Sequence, residues 1–320
     1  MRIGVFSVLF QDLPFEQALD KVADFGLTAV EIGSGGYPGS HHCPVDELLA
    51  SPEKRQAYLD AVASRGLIIS AFSCHYEPLH PNRQIAQESD EIFRKSVRLA
   101  SLMEVPVVNV LSGTPAGAPG DKMPNWVTCP WPSHNLEILD YQWNEVGIPY
   151  WRKAAAFAED HGIKIGVEMH PGMLIYNVET MLRMRAEAGP ALGCNFDPSH
   201  LFWNGVDAVA AIRALGQAIV HVHGKDSYVD SINVSVNGCN DHKPYDQIAK
   251  RAWTFRSIGY GHDTKVWKDL VSALRLIGYD YVISIEHEDA LMSADEGLAK
   301  GVALLKDAGI METPGDMFWA

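Results

Sequence analysis

A short apolar run ends in a polar residue, a loop follows, then an amphipathic helix and the next apolar run; this unit recurs along the whole chain. Such alternation restricts the architecture sharply, because strands joined by helical crossovers lie parallel and must be covered by their own helices. The first unit shows the pattern. Arg2–Leu9 is almost continuously apolar, as a strand buried on both faces should be. Phe15, Ala18, Leu19, Val22 and Ala23 then fall on one helical face, and Gly26 follows Phe25 as a helix C-cap. Ala29–Gly33 reads as the second strand.

Six further strands are expected at Leu67–Ser73, Val107–Leu111, Ile163–Glu168, Leu192–Asp197, Ile219–Gly224 and Tyr281–Glu286. Helices are expected near Pro52–Arg65, Glu88–Met103, Glu145–Asp160, Val178–Glu187, Asp207–Leu215, Val266–Ile277 and Ala294–Asp307. Eight strands alternating with eight helices predict an α/β fold, a closed parallel (β/α)8 TIM barrel, with a doubly wound open sheet as the rival. The chain has 320 residues, 47% of them hydrophobic, so residues 1–320 are read as a single domain with one large core. Two connections are long, Ser112–Asn144 after the fourth strand and Lys225–Thr264 after the seventh. Both follow strands, so both belong to the catalytic face of a barrel, as lids or as surface excursions with a subunit contact.

The formal net charge is −14, and no Lys/Arg run builds a basic groove, so a nucleic-acid partner is not expected. Cys43, Cys74, Cys129, Cys194 and Cys239 are odd in number and contain no C-x-x-C pair, which reads as reduced thiols in a cytoplasmic protein. Residues 3–10 are too short for a membrane span and lack the flanks of a signal peptide.

The chemistry concentrates at the ends of four successive strands. The fifth ends V-E-M-H-P (Val167–Pro171), the sixth N-F-D-P-S-H (Asn195–His200), the seventh H-V-H-G-K-D (His221–Asp226) and the eighth S-I-E-H-E-D (Ser284–Asp289). In a barrel these ends converge on one mouth, and charges at the ends of buried strands need partners. Glu168, Asp197, His223 and Glu286 form a mixed oxygen and nitrogen set suited to one divalent ion; with no thiolate near, Mn2+ is preferred, with Mg2+, Co2+ or Zn2+ as alternatives. Alternation along a strand puts His221 with His223 and Glu168 with His170, so His170 overlooks the ion. His200 is read as a support or substrate contact, and Glu288 as a site residue or a surface charge.

At these residues the chain resembles the xylose-isomerase-like barrel superfamily, which includes ketose 3-epimerases, hydroxypyruvate isomerase, inosose dehydratase and the endonuclease IV group. The resemblance spans essentially the whole chain. It rests on Glu after the fifth strand, D-x-x-H after the sixth, H-x-H-G after the seventh and Glu after the eighth. It implies that Glu168, Asp197, His223 and Glu286 bind the metal and that His200 hydrogen-bonds the substrate. In ketose 3-epimerases the counterparts of Glu168 and Glu286 also move protons on the two faces of the substrate carbon. R-A-W-T-F-R-S-I-G-Y-G-H-D (Arg251–Asp263) and S-I-E-H-E-D are similar to a bacterial sugar phosphate isomerase/epimerase group. That group resembles the larger subunit of C-glycoside deglycosidases, which implies His170 as base and a small second subunit. Two positions depart from the wider pattern. Leu174 stands where ketose 3-epimerases carry a second acidic residue. Leu111–Gly113 lacks the fourth-strand His of the endonuclease group, which with the acidic charge argues against DNA repair.

The expected function is a metal-dependent isomerase or epimerase that removes a proton α to the carbonyl of a monosaccharide or keto-sugar through an enediolate. The alternative is a lyase that eliminates a β-substituent from a 3-keto-glycoside or dehydrates a keto-sugar. His170 is the first choice of base, then Glu168 or Glu286. His75, Arg256 and Lys225 join His200 as candidate substrate contacts. With so few cations, a phosphorylated substrate is not expected. Gly33–Gly36 (G-S-G-G) leads into Tyr37-Pro38 where a dinucleotide loop needs a helix start, so nicotinamide binding is not expected. The partners expected are a small sugar and further copies of the chain in a homo-oligomer, to which the deglycosidase resemblance adds a small second subunit; no membrane partner is expected. The tail Met311–Ala320, with Phe318 and Trp319, packs on a neighbouring subunit or on its own barrel.

Overall fold

The computed structural model describes residues 1–312 and 315–317; Phe318 and Trp319 lie outside the described residues. Eight parallel strands close into a barrel: β1 (Arg2–Phe6), β2 (Ala29–Gly33), β3 (Ile68–Ser73), β4 (Val107–Leu111), β5 (Lys164–Glu168), β6 (Leu192–Phe196), β7 (Ile219–Gly224) and, after an inserted hairpin β8 (Asp226–Val229) and β9 (Trp253–Arg256), β10 (Val282–Ile285). The pairing β1–β10 closes the ring, with Gly4 opposite Ser284. The open-sheet alternative is thereby excluded. Glu168 lies opposite Asn195, and His223 opposite Ser284, so the chemically active ends are in register.

The helices around the barrel are α1 (Phe15–Asp24), α2 (Val45–Ala50), α3 (Pro52–Ala63), α4 (Arg83–Leu102), α5 (His134–Asp140), α6 (Ile148–Asp160), α7 (Val178–Ala188), α8 (Ser199–Phe202), α9 (Ala208–Leu215), α10 (Ser231–Asn237), α11 (Thr264–Leu276) and α12 (Ala294–Ala308). α1 buries Ala18, Leu19 and Val22, the face expected from its spacing. Side-chain caps set many starts: Ser51, Asn82, Asn177, Asp207, Asp263 and Ser293 each accept from a backbone N–H of the first turn. Each such cap is worth about 1 kcal/mol. Among the described residues no helix is long and apolar enough to cross a membrane. All five cysteines are free.

Three boundaries differ from expectation for identifiable reasons. β1 ends at Phe6, and Ser7–Phe10 turns into a 3-10 helix that carries the chain off the barrel rim. α4 begins at Arg83 rather than Glu88, because Asn82 caps it. The helix expected from Glu145 begins at His134 instead, running through a π-helical turn (Tyr141–Gly147) into α6. Pro149 cannot donate to an i−4 carbonyl, and the wider turn just before it absorbs that missing bond.

The two long connections behave differently. The one after β7 folds into the antiparallel β8–β9 hairpin, with its own apolar cluster of Trp203, Ala252, Trp253 and Phe255. The Asp226 carboxylate anchors it, accepting from the backbone N–H of Gly259, Gly261 and His262 at 3.0, 3.1 and 2.9 Å. The one after β4 packs against the β5–α7 segment, where it lines a small separate pocket with Trp126, Trp143 and Tyr176.

Candidate metal centre

The four expected ligands meet. Ligand atoms of Glu168, Asp197, His223 and Glu286 all lie within 4.8 Å of one another. His223 Nδ1 is 3.2 Å from Glu168 Oε2, 3.1 Å from Glu286 Oε2 and 4.0 Å from Asp197 Oδ2. Asp197 Oδ1 is already occupied by the Ser199 backbone N–H at 2.8 Å. Its Oδ2, 3.4 Å from His200 Nε2, and Glu286 Oε2, 3.3 Å from Lys225 Nζ, are buried and have these ion-pair neighbours but no hydrogen bond. A buried oxygen left unbonded costs about 1–3 kcal/mol, more for a charged group. Two such oxygens aimed at one imidazole nitrogen fit a divalent cation, which would satisfy all three atoms together.

The charges are arranged accordingly. Burial raises the Asp197 pKa, and crowding by Glu168 and Glu286 adds to it; a cation removes that penalty. Burial also opposes ionisation of Glu168, but His200, His223 and His75 hold its pKa well below the ordinary carboxylate range. Burial opposes charge on His223, yet Glu31, Glu168 and Glu286 hold its pKa well above the ordinary imidazole range.

Glu31, in the middle of β2, was not anticipated as a site residue. Both its oxygens lie 3.1 Å from His223 Nε2, so that nitrogen donates to Glu31 and Nδ1 is left for an ion. Ser73 Oγ donates a short hydrogen bond to Glu31, and Asn109 Nδ2 donates at 2.9 Å. Gly166 in β5 is required beside Asn109, because a Cβ there would run into the Asn109 carboxamide. Burial works against the Glu31 charge, but His223 and His221 hold its pKa far below the usual range. Its sequence signal was a lone acid inside the apolar run A-V-E-I-G. Glu31, His221 and His223 form a second group with ligand-like spacing. His221 is spent on Asn195 Oδ1 at 3.0 Å and Ser70 Oγ at 3.2 Å, so this group is a hydrogen-bonded core.

A cavity of about 500 Å3 opens above the cluster. His75, Glu168, His170, His200, Lys225, Arg256, Glu286 and Glu288 all line it, so every expected substrate contact is brought to one place. His170 Nδ1 lies 2.6 Å from the Pro171 carbonyl and donates to it, which leaves Nε2 unprotonated. Burial first, then the charge of His200, depress the His170 pKa to about 3. The two rings pack with centroids 4.1 Å apart. His200 Nε2 donates to Glu168 Oε1 at 3.0 Å. His75, expected on a loop after the third strand, is buried with Nε2 3.2 Å from Glu168 Oε2. The loop Gly33–Gly36 holds it there: Gly36, at φ +68°, lies against the His75 carbonyl, which accepts from Tyr37 N–H at 2.8 Å. Lys225 is buried, its ammonium 2.6 Å from Glu288 and 3.3 Å from Glu286. Arg256 Nε donates to Asp289 at 3.1 Å. Phe6, Tyr37, Tyr245, Ile248, Phe255 and Leu291 supply an apolar wall that was not anticipated.

Comparison with known proteins places the chain. Residues 19–308 match the family model described as "Xylose isomerase-like TIM barrel", and the chain belongs to that family. A curated relative, "Uncharacterized protein YfiH" of Bacillus subtilis (strain 168), is 41% identical over 309 residues, 96% of this chain and 98% of the relative. Two solved structures share the fold. A D-tagatose 3-epimerase-like protein superposes with TM-score 0.64 at 23% identity, covering 96% of this chain and 97% of the other. The probable 3-DHS dehydratase AsbF from Bacillus anthracis superposes with TM-score 0.67 at 16% identity, covering 96% and 99%.

Proposed function

We propose that this chain is a divalent-metal-dependent isomerase or epimerase that removes a proton α to the carbonyl of a neutral sugar or keto-sugar. One observation carries the reading: buried oxygens of Asp197 and Glu286, with ion-pair neighbours but no hydrogen bond, flank His223 Nδ1 at 4.0 and 3.1 Å beside a cavity that also holds an unprotonated imidazole nitrogen, His170 Nε2. Glu168, Asp197, His223 and Glu286 would hold the ion, and Mn2+ suits their donor set. When bound, the ion supplies Lewis acidity toward a carbonyl and a neighbouring hydroxyl.

The remaining work falls to the side chains. His170 Nε2 takes the α-proton, and the electron pair moves into an enediolate. Glu168 is engaged by three imidazoles and is therefore a poorer base than His170. Lys225 supplies positive charge beside the developing oxyanion, and His200 holds Glu168 in place through its Nε2 hydrogen bond. Phe6 packs on His223 with ring centroids 6.0 Å apart, and Phe255 lines the hairpin side, so aromatic rings border the reacting region. Return of the proton to the same carbon from the other side gives an epimer; return to the neighbouring carbon gives the aldose–ketose isomer.

The apolar outer wall favours a second reading. Tyr37, Tyr245, Ile248 and Leu291 make the cavity roomier and less polar than a lone hexose requires, which suits β-elimination from a glycoside carrying an apolar substituent. Proton NMR in D2O with the Mn2+-loaded protein separates the two, recorded after excess metal is chelated, on ketohexoses, 3-keto-glucose and a 3-keto-C-glucoside. Metal-dependent deuterium uptake into an intact skeleton supports the isomerase. Release of the substituent or of water supports the lyase. A panel that neither exchanges nor eliminates removes support from both.

A further inference from the structure

Three carboxylates converge on one ammonium at the edge of the metal centre. Lys225 Nζ lies 2.6 Å from Glu288 Oε2, 3.3 Å from Glu286 Oε2 and 4.0 Å from Asp197 Oδ2. Two of the three are proposed metal ligands; Glu288 is not. Lys225 is 3% exposed, and its ammonium also sits 4.3 Å from the centre of the Phe255 ring on the hairpin. Its position is therefore fixed by packing from two elements. Glu288 lies on the loop after β10, with its side chain about half exposed on the cavity side.

An ion held by Asp197 and Glu286 is a close neighbour of this ammonium. Like charges repel strongly at such range in a buried site. Glu286 cannot serve the ion and the ammonium equally through the same Oε2. Glu288 supplies an alternative partner at a shorter distance, outside the ligand set. We propose that Lys225 and Glu288 form a charge-balancing pair: Lys225 is a positioning residue that holds Glu286 before the ion binds, weakens the ion's hold and keeps it electrophilic, and Glu288 draws the ammonium off Glu286 when the ion enters. This rests on the metal site proposed above.

The pair makes opposite predictions for its two members, which a merely structural role does not. Removing the Lys225 charge deletes a repulsion, so Lys225→Met binds Mn2+ more tightly, by about three- to tenfold, while its solvent deuterium exchange slows. Removing the Glu288 charge leaves the ammonium facing only the two ligand carboxylates, Glu286 and Asp197, so Glu288→Gln binds Mn2+ more weakly by a similar factor. In the double variant the Glu288→Gln effect shrinks, because its target is gone.

Titration calorimetry with Mn2+ on the parent, the two single variants, the double variant and Asp197→Asn tests this. Glu288 is half exposed, so Glu288→Gln keeps the test decisive even if Lys225→Met does not fold. Opposite shifts with loss of additivity support the pair. An unchanged Mn2+ affinity in Glu288→Gln, or weaker binding in Lys225→Met, overturns it while binding lost in Asp197→Asn leaves the metal site standing. Binding that survives Asp197→Asn at parental strength removes the metal site and the pair together.

Discussion

The two halves of the barrel mouth divide the labour. β5, β6, β7 and the loop after β10 present Glu168, Asp197, His223 and Glu286 to one point. The opposite half, β2 to β4, presents Glu31, Ser73 and Asn109, which touch no substrate space and instead hold His223 from behind. One half carries carboxylates, Asp197 and Glu286, whose buried oxygens face the ion position without a hydrogen bond; the other carries Glu31, held within the core by Ser73, Asn109 Nδ2 and His223. The difference teaches that the imidazole at the centre is a hinge between a chemical face and a supporting face, and that damage to each should read out differently.

The largest effect is expected on the chemical face. Glu286→Gln should abolish metal-dependent exchange and Mn2+ binding, while circular dichroism shows the fold intact. Full activity in this variant would break the division. His170→Gln should keep Mn2+ affinity yet slow exchange by about 10²–10⁴-fold, the range for losing a general base. A loss of metal affinity instead would move His170 into the ligand set. On the supporting face, Glu31→Gln should lower metal affinity or activity by about 10–100-fold without emptying the site. An effect as complete as that of Glu286→Gln would erase the distinction between the halves.

The smallest effect concerns protons. His223 holds its pKa well above the ordinary imidazole range in the metal-free protein, so it is protonated at neutral pH. An ion at Nδ1 must displace that proton, while Nε2 keeps its own for Glu31. Binding therefore releases a proton, and affinity rises with pH, by about tenfold per unit for one proton. Calorimetry in buffers of different ionisation enthalpy should report about one proton released. His170, at about 3, stays neutral throughout this range, so loss of activity toward acid should follow metal release.

The barrel and the four ligands were legible because each left a strong local trace. Glu168, Asp197 and His223 each stand at or beside the end of a buried strand, and Glu286 follows β10, where a charge needs a partner. Glu31 was not read, although it obeys the same rule, because it lies in the middle of β2 and its partners come from β3, β4 and β7. Those contacts depend on barrel closure and on the register shift at Val30/Glu31, which no local pattern encodes. The loop after β7 is built as an ordered hairpin around Asp226, a residue the sequence offered only as the end of a motif. The helical start at His134 was hidden by Pro149, which reads as a first-turn residue yet follows a π turn within continuous helix.

The central claim is that one ion sits between the two halves, on the chemical side of His223. Anomalous diffraction at the manganese edge, from crystals grown with Mn2+, tests it most directly. The account predicts a single strong peak bounded by Glu168, Asp197, His223 Nδ1 and Glu286. A peak on the other side of the ring, among Glu31, His221 and His223 Nε2, or no peak at the four residues, would contradict it.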